Sequence, residues 1–265
     1  MNVNLMSSCS SPRRPVLDTG FGLTSELGKG TAKPRIRCGA AGILKDRTHW
    51  VAVACQFPLS HYRHAMLWIA PLSALIIGYV LGSIPFGLVL TRMFGAGDLR
   101  AIGSGSIGAT NVLRTGRKGL AAATLLLDGG KGAAAVLIAE AIQPGLGPMA
   151  ALAAFLGHCY PVWLRFNGGK GVATALGILI VLSWPVALIA AAVWLATVAL
   201  FRISSLGGLM AALSAPVAGI ALGQIALMPL LIALALLIVW KHRANIGRLR
   251  RGAEPKIGQK AAVGG

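Results

Sequence analysis

Acidic residues are scarce in this chain: 7 Asp and Glu stand against 25 Lys and Arg, a formal net charge of +18 over 265 residues. Charge of either sign is itself sparse, at 12% of residues, while 55% are hydrophobic. A soluble domain carries about twice that share of charge, so composition excludes a soluble globular protein and points to an integral membrane one. Aromatic residues make up only 6%. With no series of rings for stacking on bases, the cationic excess does not describe a nucleic-acid surface. It lies in loops between apolar runs, where it sets topology and meets anionic lipid. Cysteine carries no chemistry here: Cys9, Cys38, Cys55 and Cys159 show no CxxC spacing and no histidine at metal-ligand distance, and they read as inert thiols.

Also missing from residues 1 to 64 is any apolar run long enough to span a bilayer. That segment is rich in Ser, Gly, Pro and Arg, and its charges are scattered from Arg13 to Arg63 rather than ordered as in a secretory signal. We expect a disordered leader, or an extension upstream of a native start at Met66. Residues 65 to 258 form the membrane domain, and 259 to 265 a C-terminal tail.

About 20 apolar residues cross the hydrocarbon of a membrane. By that rule the chain reads as an all-α protein of seven spans: about 67 to 90, 119 to 142, 149 to 164, 171 to 184, 186 to 201, 206 to 223 and 225 to 240. Pro185 separates two spans that would otherwise merge into one bent helix. Loop charge supports seven over six. Arg92, Arg100, Arg114, Arg117 and Lys118 share one loop, the turn at Pro144 to Pro148 has no charge, Arg165 and Lys170 follow, and the alternation continues to the basic tail from Lys241. It places the start of span one outside and the C-terminus in the cytoplasm. The first 64 residues, with nine Lys or Arg against three acidic residues, run against that orientation.

Two glycine-rich segments lie just outside these runs, Gly103-Ser-Gly-Ser-Ile-Gly-Ala-Thr-Asn111 and Phe166-Asn-Gly-Gly-Lys-Gly-Val-Ala-Thr174. Glycine lets successive backbone N–H groups converge on phosphate oxygens, and nearby Lys or Arg supplies countercharge. Gly103, Gly105 and Gly108 formally match a dinucleotide fingerprint, but a membrane helix precedes them and no βαβ unit surrounds them. Neither loop completes a P-loop. Close helix packing in lipid also favours glycine, yet packing alone does not call for Ser104, Ser106, Thr110 and Asn111. Lys170, between glycines and ahead of helix N-terminal amides, reads as a phosphate ligand. Asp128 and Lys131 share a face of the second span and are expected to pair toward the interior. Glu140 reads as interfacial and His158 as a core histidine. His242 and Asn245 share a face beyond the last span, on the side of both glycine loops. Motifs gathered at one face favour an enzyme over a transporter, whose site is expected at mid-bilayer.

These residues resemble one family, the bacterial membrane glycerol-3-phosphate acyltransferases that use acyl phosphate as donor. The resemblance spans Leu67 to Gly258 and rests on Gly82-Ser-Ile-Pro-Phe-Gly87, Gly103 to Asn111 with Arg114, Asp128-x-x-Lys131-Gly132, Gly157-His-x-Tyr-Pro161, Gly168 to Thr174, Arg202-x-Ser204-Ser205, His242-x-x-Asn245-Ile-x-Arg248 and Glu254-Pro-Lys-Ile-Gly258. It implies seven helices in the bacterial inner membrane, an active site open to the cytoplasm, and acyl transfer to the sn-1 hydroxyl of glycerol 3-phosphate. No metal or other cofactor is implied. Partners would be the two substrates, membrane lipid and, by functional coupling, the soluble enzyme that makes acyl phosphate. On this reading Ser104, Lys170, His242 and Asn245 are catalytic. Gly103, Gly105, Ser106, Gly108, Thr110, Asn111, Arg114, Gly168, Gly169, Gly171, Thr174, Ser204 and Ser205 bind substrate. Two departures stand out: Ser106 replaces the family's usual Asn, with a shorter polar reach, and Gly129-Gly130 replaces bulkier residues and is expected to loosen the second span.

Overall fold

The computed structural model describes residues 60–102 and 105–258, with side chains from Trp68 onward. The leader, the tail, and the site candidates Gly103 and Ser104 lie outside the described residues. Every regular element described is helical: α1 (Ser60–Gly82), α2 (Phe86–Met93), α3 (Ala109–Leu113), α4 (Lys118–Ile142), α5 (Gly147–Cys159), α6 (Val172–Leu182), α7 (Trp184–Phe201), α8 (Ser204–Ala221), α9 (Met228–Lys241) and α10 (Arg243–Arg250).

Four stretches are long and apolar enough to cross a membrane: Trp68–Met93, Lys118–Ile142, Trp184–Phe201 and Ser204–Ala221. Ile225–Lys241 with Arg243–Arg250 makes a fifth if their 59° bend is counted within one span. The other two expected spans are short helices, α5 of 13 residues and α6 of 11. The divide at Pro185 is real: α6 stops at Leu182 and α7 starts at Trp184, with the proline in its first turn, where a missing N–H costs nothing. A broad apolar exterior fits a lipid solvent, with Leu126, Val217, Leu236 and Leu200 all more than 60% exposed (73%, 67%, 66% and 78%).

The first apolar run, expected as one helix, breaks at Ser83–Pro85 into α1 and α2. In lipid the carbonyls freed by such a break need donors. Trp163 Nε1 donates to Ser83 O at 2.9 Å, and Lys131 Nζ donates to Ile84 O at 2.7 Å. Small residues then set the helix seams. A β-carbon on Gly78 would meet Ala150 O at 2.6 Å, and one on Gly132 would meet Thr174 O at 2.6 Å, so α1 packs on α5 and α4 on α6 at near backbone contact. Gly129 belongs to the same seam, because a side chain on Gly177 would run into its backbone. Of the glycine pair expected to loosen α4, Gly129 admits α6 while Gly130 faces open space, and α4 runs unbroken through both. Glu140 is more than interfacial: its carboxylate accepts from Gly145 N and Gly147 N, both at 2.9 Å, and caps the start of α5.

Candidate active site

A cavity of about 630 Å³ is bounded by α3, α4, α6, α7, α8, α9, α10 and the segment after α10. It has a polar mouth and an apolar arm. Ser106, Gly108, Thr110, Asn111, Arg114, Lys170, Gly171, Ser204, Ser205, His242 and Asn245 all line it, so residues spread over 140 positions of sequence meet at one place. Beyond them, Leu176, Leu179, Ala212, Ala215, Leu231 and Leu234 wall the arm.

The two glycine loops reach the mouth by different means. In the first, Gly105 adopts φ +65°, a left-handed conformation open to glycine, and Gly108 carries extended backbone into α3. The Asn111 amide is committed to this loop, donating to Leu99 O at 2.8 Å and Ile102 O at 3.0 Å. Its carbonyl faces Arg114 Nη1 at 3.4 Å. Thr110 Oγ1 lies 2.8 Å from Ser204 Oγ, which ties the loop to the start of α8.

In the second loop, Gly168 N donates to Cys159 O at 3.2 Å and Gly169 N to His158 O at 3.0 Å. Those amides are spent on the end of α5 and are not turned toward the cavity. A β-carbon on Gly169 would strike the His158 ring, and one on Gly168 would meet Pro161 Cδ at 2.6 Å. Gly171 combines φ +82° with the Phe155 ring at its α-carbon, so it too has no room for a side chain. Thr174 is fully buried away from the cavity against α4, and its hydroxyl has no hydrogen-bond partner among the described residues. Of this segment, Lys170, Gly171, Val172 and Ala173 line the cavity.

Charge at the mouth centres on Glu254, which opens one of the motifs that carry the family resemblance but was given no role there. Its Oε1 accepts from Ser205 Oγ at 2.7 Å and from Asn245 Nδ2, and its Oε2 pairs with Arg248 Nε at 2.7 Å. Burial alone would raise the Glu254 carboxyl, but the bonds from Ser205, Asn245 and Arg248 outweigh it and leave the group below its ordinary range. Its rarity was the available signal: it is one of 7 acidic residues and the only one beyond Glu140. Burial pushes the Lys170 ammonium down to about 8, helped by Arg248, Arg114 and Lys241 and opposed by Glu254.

His242 follows the last residue of α9 and is 2% exposed. Burial first, then Lys170, lower it to about 4, so it is neutral at ordinary pH. Its Nδ1 lies 2.8 Å from Ile238 O. A carbonyl only accepts, which puts the proton on Nδ1 and leaves Nε2 an acceptor. That nitrogen abuts Gly208, where a β-carbon would come within 3.4 Å of it. Behind the mouth, Asp128 pairs with Lys131 at 2.7 Å as expected, and His158 Nδ1 lies 3.6 Å from the same carboxylate oxygen. Among the described residues no group of His, Cys, Asp and Glu could hold a metal ion.

A family model described as glycerol-3-phosphate acyltransferase matches residues 72–252. A glycerol-3-phosphate acyltransferase from Novosphingobium aromaticivorans is 63% identical over 186 residues, which is 70% of this chain and 94% of the relative. The corresponding protein of Ruegeria sp. (strain TM1040) is 61% identical over 185 residues, 69% of this chain and 92% of its own. The crystal structure of PlsY (YgiH), an integral membrane glycerol 3-phosphate acyltransferase, in its glycerol 3-phosphate form superposes with a TM-score of 0.68 at 40% identity, covering 71% of this chain and 96% of that one. Its lysophosphatidic acid form gives 0.66 at 38% identity, covering 71% and 95%. Helical architecture, apolar exterior, motif order and these likenesses agree, and the chain belongs to the glycerol-3-phosphate acyltransferase family of integral membrane proteins.

Proposed function

We propose that this protein transfers a fatty acyl group from acyl phosphate to the sn-1 hydroxyl of glycerol 3-phosphate, giving lysophosphatidate and inorganic phosphate. The observation that carries the reading is the shape of the cavity: a cationic mouth continuous with an apolar arm, the complement of two phosphates and one acyl chain. The starts of α6 and α8 both lie at that mouth, adding helix N-terminal amides to Arg114 and Lys170. The structural likeness to proteins solved with glycerol 3-phosphate and with lysophosphatidic acid supports the substrate and product.

Acyl phosphate is already activated, so direct attack suffices. The glycerol hydroxyl oxygen forms the ester bond to the acyl carbon, the acyl carbon–oxygen bond to phosphate breaks, and the hydroxyl proton ends on the released phosphate. Catalysis is by positioning and by charge stabilisation. Arg114 and Lys170 hold the phosphates, and Ser106, Gly108 and Thr110, with Gly103 and Ser104 before them, contact the donor head group. Ser204 and the acceptor Nε2 of His242 orient glycerol 3-phosphate. Ser205 and Asn245 act through Glu254, which they hold beside the cations.

Seven crossings by residues 65 to 258 in the bacterial inner membrane, with the C-terminus in the cytoplasm, complete the proposal. The loop charges support it, and it puts the mouth within reach of a soluble enzyme supplying acyl phosphate. The test is product formation by detergent-purified protein given glycerol 3-phosphate with palmitoyl phosphate or with palmitoyl-CoA. Lysophosphatidate from the phosphate alone is expected; equal or greater yield from the thioester would contradict the assigned donor.

A further inference from the structure

We infer that the acyl-chain length this protein accepts is set by a floor where four helices close the apolar arm, formed by Leu179, Ala190, Ala215 and Leu231. The inference rests on the acyltransferase reading above and adds which residues select among donors.

The cavity-lining face of each helix stops at a definite residue. On α6 it ends at Leu179, though the helix continues to Leu182; on α8 it ends at Ala215, though the helix continues to Ala221. On α7 it reaches Ala190, and on α9, followed inward from His242, it ends at Leu231. A helix rises 1.5 Å per residue, so Ser205 to Ala215 is a depth of about 15 Å, His242 to Leu231 about 16 Å and Gly171 to Leu179 about 12 Å. The three end residues, Leu179, Ala215 and Leu231, nevertheless meet in one buried cluster, so the three helices close the arm together.

What closes it there is packed core. Leu179, Ala215 and Leu231 belong to a buried cluster with Val186, Ala187 and Ala218. Leu231 is 1% exposed, and the other three floor residues are between 4% and 6%. Interiors of this kind transmit the loss or gain of a single methylene. The floor is asymmetric in size, with alanines from α7 and α8 facing leucines from α6 and α9. Small side chains on one side define the clearance, and large ones on the other define the stop.

Each methylene that the arm no longer buries is expected to lower kcat/KM about fourfold, from the transfer free energy of one CH₂ group. The experiment measures kcat/KM of the purified full chain for lauroyl, palmitoyl and stearoyl phosphate at fixed glycerol 3-phosphate. Ala215→Leu raises the floor, and the stearoyl-to-lauroyl ratio is expected to fall by tenfold or more. Leu231→Ala lowers the floor and is expected to raise that ratio; because it removes volume, it reads the floor even if Ala215→Leu does not fold. Parental ratios in the variants that fold and turn over would overturn the floor while leaving the acyltransferase reading intact. Absence of glycerol 3-phosphate-dependent turnover by the unaltered protein, with every donor in the series, would overturn both.

Discussion

Gly108, in the first loop at the cavity mouth, and Gly169, in the second, occupy opposite physical situations. A β-carbon on Gly108 would meet nothing closer than Ser106 Oγ at 3.9 Å, whereas one on Gly169 would land on the His158 ring. The first loop is shaped by its own bonds, from Gly105 in the left-handed region to Asn111 gripping two carbonyls behind it. The second is shaped by what it leans on: α5 receives its amides and leaves no space for side chains. Glycine can thus serve the proposed phosphate site by freeing backbone, or by letting a loop seat closely on a neighbouring helix beside the one cation it brings to the cavity, Lys170.

That difference can be broken at several points. The largest effect is expected from Lys170→Ala: loss of one preorganised charge at the reacting phosphate should lower kcat by about 10² to 10³, and steady-state turnover within threefold of the parent would remove Lys170 from the phosphate. Next comes Gly169→Ala, which forces apart the loop and His158. We expect a thermal-melt destabilisation of about 1–3 kcal/mol, from overpacking, together with a loss of turnover that a packing defect remote from Lys170 would not produce.

The pH profile isolates Lys170 without a substitution. Its ammonium carries charge below about 8 and loses it above. If the charge binds donor, kcat/KM for acyl phosphate falls about tenfold between pH 8 and 9.5 or so, and the fall moves to higher pH in kcat, where bound phosphate stabilises the cation. A flat profile across that range contradicts the assignment. In the first loop, Ser106→Asn places a longer amide at a position that lines the cavity. One added hydrogen bond should lower the donor KM by about two- to tenfold. The smallest effect belongs to Gly108→Ala, within about 0.5 kcal/mol in stability, as for a substitution that touches nothing. A severe defect there, paired with a mild one in Gly169→Ala, would reverse the comparison.

Much of this was legible in the chain itself. Apolar runs located the long helices because lipid imposes one length and one hydropathy on them, and the Asp128–Lys131 pair followed from helical spacing and the cost of a lone buried charge. What was not legible depends on contacts across the fold. Gly129 reads as a weak point in isolation and is a contact surface once α6 lies against it. Gly168 and Gly169 carry the signature of a phosphate cradle, but whether an amide faces ligand or a neighbouring carbonyl is decided by α5, distant in sequence. Asn245 and Ser205 suggested direct substrate ligands, and both turn to Glu254, whose partners come from α8 and α10, distant in sequence from each other. The break of the first helix at Ser83–Pro85 was masked by the apolarity on either side of it.

The central claim is that both substrates sit in one cavity and react directly, with no acyl group passing through the protein. Rapid-mixing measurement of phosphate release from palmitoyl phosphate tests it most directly. The account predicts no release above background until glycerol 3-phosphate is present, and then release matched by lysophosphatidate. A burst of phosphate equal to the enzyme concentration without glycerol 3-phosphate would mean a covalent acyl-enzyme and would contradict it.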